Sequence, residues 1–411
     1  MNLSQRIPIP DPLTALSALS FFAFGALLVL YGANSSELIT HLDLDYADLG
    51  LLGSMFSLGL GVGIVAAGPI SDRLPRRPLY IAACFTVLAA TATLSAATDY
   101  HALLLRTVAI GFGAGFYETI LNALIVEEFG ARAPRRLIFI HSAATLAGSV
   151  TPLLFEFART FLPLAWYDAF QIVGSVHAGL ILAAIFVPMN LSPRRAALAK
   201  DVDEDPAVDG RERAKREAAP MPRRDDRPAL VAICVATFAY VGVETALTLF
   251  VADHAIHDLG LEAAHADHTI SAFWAGLLVG RLAIGLSPRR VGAGTTAALA
   301  SLGAILLLSY GLGWIVLPEL AMAAIGFCLG GVFPIMIGLA GIALPSSAGI
   351  AVGLAGGLGS LGGFVIPWFT GRIATHTAES GLSMALTSLA AWLGLLVVAT
   401  IFARRHPERE R

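Results

Sequence analysis

The sequence GPISDRLPRR, residues 68–77, is a short turn rich in arginine between two long apolar runs. Apolar residues extend from Ala47 to Ala67 before the turn and from Leu79 to Ala97 after it. Each run is long enough to cross a bilayer of roughly 30 Å as a helix that rises about 1.5 Å per residue. The stretch therefore predicts a hairpin of two membrane-spanning helices, and its arginines predict which membrane face holds the turn.

The composition of the whole chain excludes a soluble domain. Of its 411 residues, 56% are hydrophobic and 14% are charged, whereas soluble domains carry roughly 25% charged residues. The three cysteines lie inside apolar runs, which is typical of small buried side chains rather than of a disulfide framework. We therefore expect an integral membrane protein.

Twelve apolar segments are long enough to be spanning helices. Barrel strands are shorter, about ten residues, and alternate apolar and polar side chains, so the segments predict an all-α membrane protein. They lie near residues 13–34, 47–70, 78–98, 101–125, 136–157, 166–188, 228–251, 269–287, 294–315, 317–340, 347–372 and 382–402.

Arginine and lysine are concentrated in alternate loops, and the other loops are nearly empty of them. They follow the even-numbered segments and occupy both tails, as Arg6 and Arg404 do. The other loops carry acids instead, among them Asp43, Asp99 and Asp258. Because cytoplasmic loops hold the excess of basic residues, both termini are predicted to be cytoplasmic. We expect a multi-pass protein of the plasma (inner) membrane.

One long polar segment, about residues 190–227, leaves six apolar segments on each side. It mixes acids, arginines, prolines and alanines without apolar periodicity, so we expect a largely disordered cytoplasmic linker with a short surface helix near residues 211–218. A basic patch that binds lipid is the alternative, which the interspersed acids disfavour. The predicted organisation is one six-helix bundle over residues 1–189, the linker, and a second six-helix bundle over residues 228–411.

A weaker similarity to the first turn is found in GLSPRRVG, residues 285–292, at the matching place in the second half. Parallel six-helix repeats produce such an internal similarity. In this architecture the chain resembles the major facilitator superfamily of transporters, and the resemblance covers all twelve segments. It implies two pseudo-symmetric bundles, the major facilitator fold.

The first turn also resembles the loop signature of that superfamily, G-x-x-x-D-R-x-G-R-R. Pro75 stands where the signature has its second glycine. In the family, the aspartate and arginines latch the cytoplasmic helix ends in the outward-facing state, and the resemblance implies this gating role here. A generic basic turn is the alternative, but it would require neither the aspartate nor the first glycine. The matching residues are Gly68, Asp72, Arg73, Arg76 and Arg77.

Motifs in six further segments are similar to the fucose–proton symporter group of the superfamily, which carries sugars and other small polar solutes. That group has an aspartate on its first span, where this chain has Gly32, and the nearest acid, Glu37, lies past the end of the segment. The departure puts coupling by two carboxylates in question. The motifs are GFGAGFYETILNAL, IHSAATLAGSVTPLL, FAYVGVETALTLFV, FWAGLLVGRLAIG, GGVFPIM and GLAGGLGSLGGFVIPWFTGRI, beginning at residues 111, 140, 238, 273, 330 and 353.

Two glutamates lie inside apolar segments, where a charge costs at least about 2.5–3.5 kcal/mol without a partner or a water-filled cavity. Glu118 shares a helix face with Asn122. A buried carboxyl group that gains and loses a proton is what a proton carrier requires, so we expect Glu118 to couple transport to protons. A structural acid is the alternative. Glu244, one turn from Tyr240, is a candidate for contact with substrate hydroxyls, for a second proton site or for a structural acid.

Trp274 and Arg281 are seven residues apart in the eighth segment and share a helix face. An indole beside polar groups suits stacking on a sugar ring, whereas packing at the lipid interface is the alternative. Arg281 is a candidate gating residue that either extends toward the cytoplasm or pairs with a carboxylate. Further candidates for substrate contact are His141, Tyr31, Asn34, Asn122 and Tyr240.

Several chemistries are disfavoured by the sequence. No strand precedes the glycine repeats and no Walker motif is present, so we expect no nucleotide-driven transport. The histidines at 254, 257, 265 and 268 are predicted to lie on an outer loop, without ligand spacing for a metal. We expect no enzyme activity, no cofactor, no metal and no nucleic-acid partner.

The predicted function is secondary active transport by alternating access, in which a monomer in the bilayer takes up a small polar organic solute, such as a sugar, together with protons. Proton-driven efflux of drugs or metabolites is the first alternative, and the absence of the G-P-x-x-G-G motif from the fifth segment disfavours it. A membrane sensor that does not transport is an alternative of another class.

Overall fold

The computed structural model describes residues 11–129, 133–189, 226–285, 292–315, 317–344, 348–377 and 381–408. The predicted linker and the arginines of the second turn lie outside the described residues, as does the side chain of Asp72. Within these ranges the regular structure is helical. A helix satisfies every backbone hydrogen bond within its own segment, which is the requirement for a chain in lipid.

Acidic caps set the starts of several helices. The Asp11 side chain accepts a hydrogen bond from the Thr14 backbone nitrogen at 3.0 Å, and Asp45 and Asp48 form a reciprocal capping box. Asp226 caps the first helix of the second half in the same way. The helices of the first half are α1 (Pro12–Ala33), α2 (Ser35–Leu42), α3 (Tyr46–Arg73), α4 (Arg76–Ala92), α5 (Tyr100–Phe129), α6 (Ala133–Arg159) and α7 (Trp166–Phe186).

The second half repeats the pattern of long helices with short connections. Its helices are α8 (Arg227–His257), α9 (Ala263–Gly285), α10 (Ala293–Gly311), α11 (Pro318–Leu329), α12 (Val332–Ala343), α13 (Ala348–His376) and α14 (Gly381–Glu408).

Ten segments of the described chain are long and apolar enough to cross a membrane, with α11 and α12 counted as one. The predicted third segment is shorter than expected, because α4 has 17 residues and ends before Thr93. There the Thr98 hydroxyl accepts a hydrogen bond from the Ser95 backbone nitrogen at 3.0 Å, a local bond that competes with helical bonding. The predicted tenth segment is broken at the adjacent Gly330 and Gly331, which have low helix propensity.

The prediction of an outer loop for four histidines is wrong. α8 continues through His254 to His257, and α9 begins at Ala263. Inside the second half, His254 is buried and bonds to the Tyr310 hydroxyl at 2.9 Å and to the Ser383 hydroxyl at 3.0 Å. These tertiary partners hold a polar residue in a helix where the sequence alone indicated an exposed loop.

The two halves meet mainly along three helix pairs, α1 with α8, α3 with α13 and α6 with α9, with smaller contacts of α8 with α2 and α3 and of α1 with α9. We name the two membrane faces by their helix ends. The basic face holds the turn between Arg73 and Arg76, and the acidic face lies at the opposite ends, where α2 is found. The α3–α13 contact is called the glycine seam and the α6–α9 contact the polar seam.

Close backbone approach characterises the glycine seam. A Cβ atom on Gly371 would overlap the Tyr46 carbonyl oxygen, and a Cβ on Gly50 would lie 2.6 Å from that of Pro367. Farther along, a Cβ on Gly61 would lie 2.9 Å from the Ser360 Cβ. Small residues allow such contact between spanning helices. Toward the basic face the seam loosens, since a Cβ on Gly68, Gly353, Gly356 or Gly357 would meet no described atom within 4 Å.

Candidate functional site

α1 and α8 cross at Gly32, near the end of α1 at the acidic face. A Cβ atom on Gly32 would overlap the carbonyl oxygen of Thr248, so the crossing has no room for a side chain on α1. Gly32 is the position where the resembling symporters carry an acid. In this chain an aspartate there would separate α1 from α8.

Trp274 is buried between the two halves, with 3% of its surface exposed. Its indole nitrogen donates a hydrogen bond to the Thr248 hydroxyl at 3.1 Å. On the other side its ring packs on Gly148 of α6, where a Cβ atom would lie 2.5 Å from the ring. Trp274 therefore extends from the second half into the polar seam and does not lie at the lipid interface.

A small cavity lies beside this contact. Tyr31, Gly32, Phe56, Thr245 and Thr248 contribute to its lining, and its volume is about 10 Å³. A cavity of this size has room for about one water molecule. The two halves must move apart here before an organic solute can enter.

Arg281 connects the two halves on the basic side of Trp274. Its guanidinium donates to the Thr145 hydroxyl at 2.9 Å and to the His141 carbonyl oxygen at 3.4 Å, both on α6. Its Nε donates at 3.2 Å to the Gly330 carbonyl oxygen, at the break between α11 and α12. Arg281 thus uses a carbonyl group that lacks its usual helical donor, because the residue four positions on is Pro334, which has no backbone N–H.

Glu244 and Tyr240 lie close enough to Arg281 for all three to interact electrostatically. The Tyr240 ring also stacks on Phe333, with 6.0 Å between the ring centroids. The described hydrogen bonds of Arg281 go to Thr145, His141 and Gly330, so pairing with a carboxylate stays a prediction. The arrangement places a half-buried acid, a phenol and a guanidinium together at the interface, groups that can donate to and accept from solute hydroxyls.

The predicted proton site is not joined to this group by hydrogen bonds. Glu118 is half-buried in α5 and makes no hydrogen bond or ion pair with any residue in the described ranges. Asn122, one turn away, has a buried amide oxygen without a hydrogen-bond partner there. The His141 ring packs edge-on against Phe21, with 4.5 Å between centroids. His141 therefore meets the central group through its backbone.

Asn34, predicted to contact substrate, lies at the acidic face. Its amide nitrogen donates to the Leu30 carbonyl oxygen at 2.7 Å, and its amide oxygen accepts from Arg159 at 2.5 Å. Glu37 also accepts from Arg159, at 3.2 Å, and from the Trp166 backbone nitrogen at 2.9 Å. Asn34 and Glu37 thereby fasten the α1–α2 corner to α6 and α7.

The turn at residues 68–77, called the signature turn from here on, makes its described contacts within the first half. Arg76 is 3% exposed and forms a two-pronged ion pair with Glu127 at the end of α5, with bonds of 2.6 and 2.7 Å. Arg77 donates to the Val187 carbonyl oxygen at 3.0 Å, whereas Arg73 is exposed. The sequence analysis did not identify Glu127 as the partner of Arg76. The adjacent acids Glu127 and Glu128, at a helix end on the basic face, were the available signal.

Asp11, outside the spanning helices, ties α1 to α6 at the basic face. Its carboxylate pairs with Arg136. Partial burial acts to raise the pKa of Asp11, but hydrogen bonds from Thr14 and the positive charge of Arg136 lower it below its usual value. The ionised form of Asp11 is therefore the one that stabilises this corner.

Other functional candidates were also missed. Thr145 and Thr248 hold the two central side chains, yet threonine is common in apolar helices and gives no distinct signal. Asp253, Asp267 and Arg159 bring charge into the acidic end of the interface. They lie near the ends of apolar runs, where charged residues are ordinary.

These observations define a helical, multi-pass membrane protein with two halves and with polar groups buried between them. The chain belongs to the Major Facilitator Superfamily, whose family model matches residues 13–367. No curated protein matches the sequence.

Solved structures share the fold at low sequence identity. The D-xylose–proton symporter superposes with a TM-score of 0.75 at 14% identity, over 95% of this chain and 96% of that chain. The nucleoside transporter NupG gives 0.71 at 14% identity, over 95% and 98% of the two chains. A peptide transporter in complex with sulfate gives 0.68 at 14% identity, over 98% and 96%. These likenesses establish the fold alone.

Proposed function

We propose that this protein is a secondary active transporter that takes up a small polar organic solute, such as a sugar, together with protons by alternating access. The observation that carries the proposal is the polar group buried between the halves. Arg281 contacts both halves and lies beside Glu244, and Trp274 bridges Thr248 and Gly148. Ionisable side chains in lipid-embedded helices are unfavourable unless they are paired or hydrated, so their presence supports a transport pathway.

The roles follow from this placement. Trp274, Tyr240 and Glu244 contact the solute, as does Tyr31, which lines the small cavity. Arg281 is a gate on the basic side, because the halves cannot separate there without breaking its bond to Thr145. Glu118 carries the coupling proton, and Asn122, one turn away, contacts the solute. The signature turn, from Gly68 through Asp72 to Arg77, latches the basic face in the outward-facing state of the cycle.

The proposed topology has twelve spans. α4, α9 and the broken pair α11–α12 complete the set, and residues 1–189 and 228–411 form two bundles that rock against each other. The protein resides in the inner membrane as a monomer, with the basic face and both termini in the cytoplasm. We place it in the fucose–proton symporter group. The solved D-xylose–proton symporter shares the fold and supports this choice of solute class.

The experiment has two stages. A thermal-shift screen of sugars, organic acids, nucleosides and drugs identifies a ligand, because a ligand that binds the folded state stabilises it. Uptake of that ligand is then measured in proteoliposomes under an imposed proton gradient. The Glu118→Gln variant should bind the ligand but lose accumulation driven by the gradient. Glu128→Gln, on the exposed side of the same helix, is the control.

Full proton-dependent accumulation by Glu118→Gln would overturn the coupling role. Net export of preloaded ligand under the inward proton gradient, with accumulation only under the reversed gradient, would favour the efflux alternative over uptake. Binding without flux in either direction would favour a sensor.

A further inference from the structure

Two buried aspartates lie at the acidic face, away from the central polar group. Asp253 of α8 is 0% exposed and Asp267 of α9 is 9% exposed. Ser36 of α2 donates a hydrogen bond to one oxygen of Asp253 at 2.7 Å. The other oxygen of Asp253 is buried and has no hydrogen-bond partner in the described chain. The second half thus presses an incompletely bonded carboxyl group against the first half.

The cation near these aspartates is Arg159, which also interacts with other acids. Asp267 interacts with Arg159 across the interface, but also with Glu156 and Asp253. Arg159 itself is bound by Glu37 at 3.2 Å. Asp267 forms no hydrogen bond to the residues that the structure describes.

Several other titratable groups face the pair. Glu156 of α6 binds His268 of α9 at 2.8 Å. His257 of α8 and Tyr46 of α3 lie near Asp253. The cluster contains several carboxyl groups and a single guanidinium group, that of Arg159, among the described residues. The titratable and charged groups around the pair are Tyr46, Glu37, Glu156, Arg159, His257 and His268.

We propose that Asp253 and Asp267 form a proton-binding site that controls closure of the acidic face. The site is distinct from Glu118 and rests on the alternating-access cycle proposed above. An ionised carboxylate buried without a full set of hydrogen bonds is strongly unfavourable, whereas a protonated one donates a hydrogen bond of its own. Separation of the halves at this face exposes both groups to water, where they ionise. Closure therefore takes up protons and opening releases them.

Linkage fixes the size of the effect. If closure takes up two protons, the ratio of closed to open molecules changes by up to about 100-fold per pH unit, and a site with one proton gives about tenfold. The sign is also fixed, because acid favours the closed acidic face and alkali favours the open one.

The test measures a distance across the acidic face without solute. Spin labels are placed at Ala97→Cys in the first half and Trp314→Cys in the second, both exposed at this face. The native cysteines are buried and are retained. Double electron–electron resonance on the full chain in lipid nanodiscs then follows the distance between about pH 5 and about pH 8, a range over which a buried carboxyl can titrate.

We expect the short distance to dominate in acid and the long distance to gain population as the pH rises. Asp253→Asn with Asp267→Asn should stay closed across the range, and each single variant should show the shallower dependence. Asp99→Asn, which removes an exposed acid of the same face, should behave as the parent. Monodisperse elution and thermal unfolding identify variants that fail to fold, and in that case the single variants carry the test.

A parent protein whose distance does not change with pH would overturn the proposal, as would pH dependence retained in the double variant. Closure by added sodium at constant pH would show a metal-cation site instead and would also overturn it. The transport proposal is judged separately. A solute that shifts the distance at constant pH supports alternating access even if the proton site is absent.

Discussion

The two long seams between the halves of this protein are built from opposite materials. In the glycine seam, α3 and α13 approach closely enough around Gly50 and Gly371 for backbone atoms to leave no room for a side chain at these two positions. In the polar seam, α6 and α9 are kept apart by large side chains, among them Trp274 and Arg281. Backbone contact fixes a distance, whereas polar side chains can exchange partners. The first seam is therefore suited to be a pivot and the second to hold a solute.

Loss of Arg281 should have the largest effect on this difference. Arg281→Met removes the positive charge near Glu244 and breaks the hydrogen bonds to Thr145 and Gly330, and hydrogen bonds that involve a charged group contribute about 1.5–3 kcal/mol each. We expect uptake of the identified solute to fall by at least about 100-fold, which such a cost implies. Arg281→Lys keeps the charge but not the forked geometry and should recover part of the loss. Normal uptake by the methionine variant would show that the polar seam is only structural.

A methyl group in the glycine seam should come next. Gly371→Ala forces a Cβ onto the Tyr46 carbonyl oxygen, and overpacking costs typically about 1–3 kcal/mol. The state closed at the acidic face should lose roughly 5- to 150-fold in population, as measured by the same spin-label distance. Gly394→Ala, where the Cβ meets no described atom within 4 Å, is the matched control. An unchanged distance in Gly371→Ala would argue against a rigid pivot.

A smaller change sharpens the assignment of Trp274. Trp274→Phe keeps an aromatic ring on Gly148 but loses the hydrogen bond to Thr248, a net contribution of about 0.5–1.5 kcal/mol. Solute affinity should fall by about three- to tenfold in a thermal-shift titration. The control is Trp392→Phe, because Trp392 packs against Phe238 inside the second half. Equal losses in both variants would assign the effect to general packing.

The smallest effect is expected at Gly68. No described atom would lie within 4 Å of a Cβ there, and replacing a helical glycine with alanine stabilises a protein by about 0.5–1 kcal/mol. Gly68→Ala should raise the unfolding temperature slightly. If uptake falls at the same time, Gly68 is needed only when α3 and α13 approach each other at the basic face. Uptake equal to the parent's would remove Gly68 from the gate.

The sequence predicted the helical membrane fold because apolar runs must span the bilayer whatever their partners. It also indicated Arg281, Glu244 and Trp274, since polar groups inside such runs are unfavourable and therefore conspicuous. Partner choice was less accessible, because it depends on how each helix is rotated about its axis. Arg76 thus came to bind Glu127 on α5, and Asn34 came to bind Arg159.

Charged groups near the ends of runs gave the weakest signal. Asp253 and Asp267 looked like ordinary residues of an exposed loop, yet α8 continues past the first and α9 begins before the second. Burial of these acids results from the meeting of the two halves. No pattern within either half reports that contact.

The crossing at Gly32 offers a means of control that needs no knowledge of the solute. Any side chain at this position meets the Thr248 carbonyl oxygen, so its volume sets how far α1 can approach α8. A series from alanine to leucine at position 32 would produce proteins held at graded openings of the same interface. Such a set would allow each opening to be crystallised, labelled and titrated in turn, and would convert a transient step of the cycle into a stable preparation.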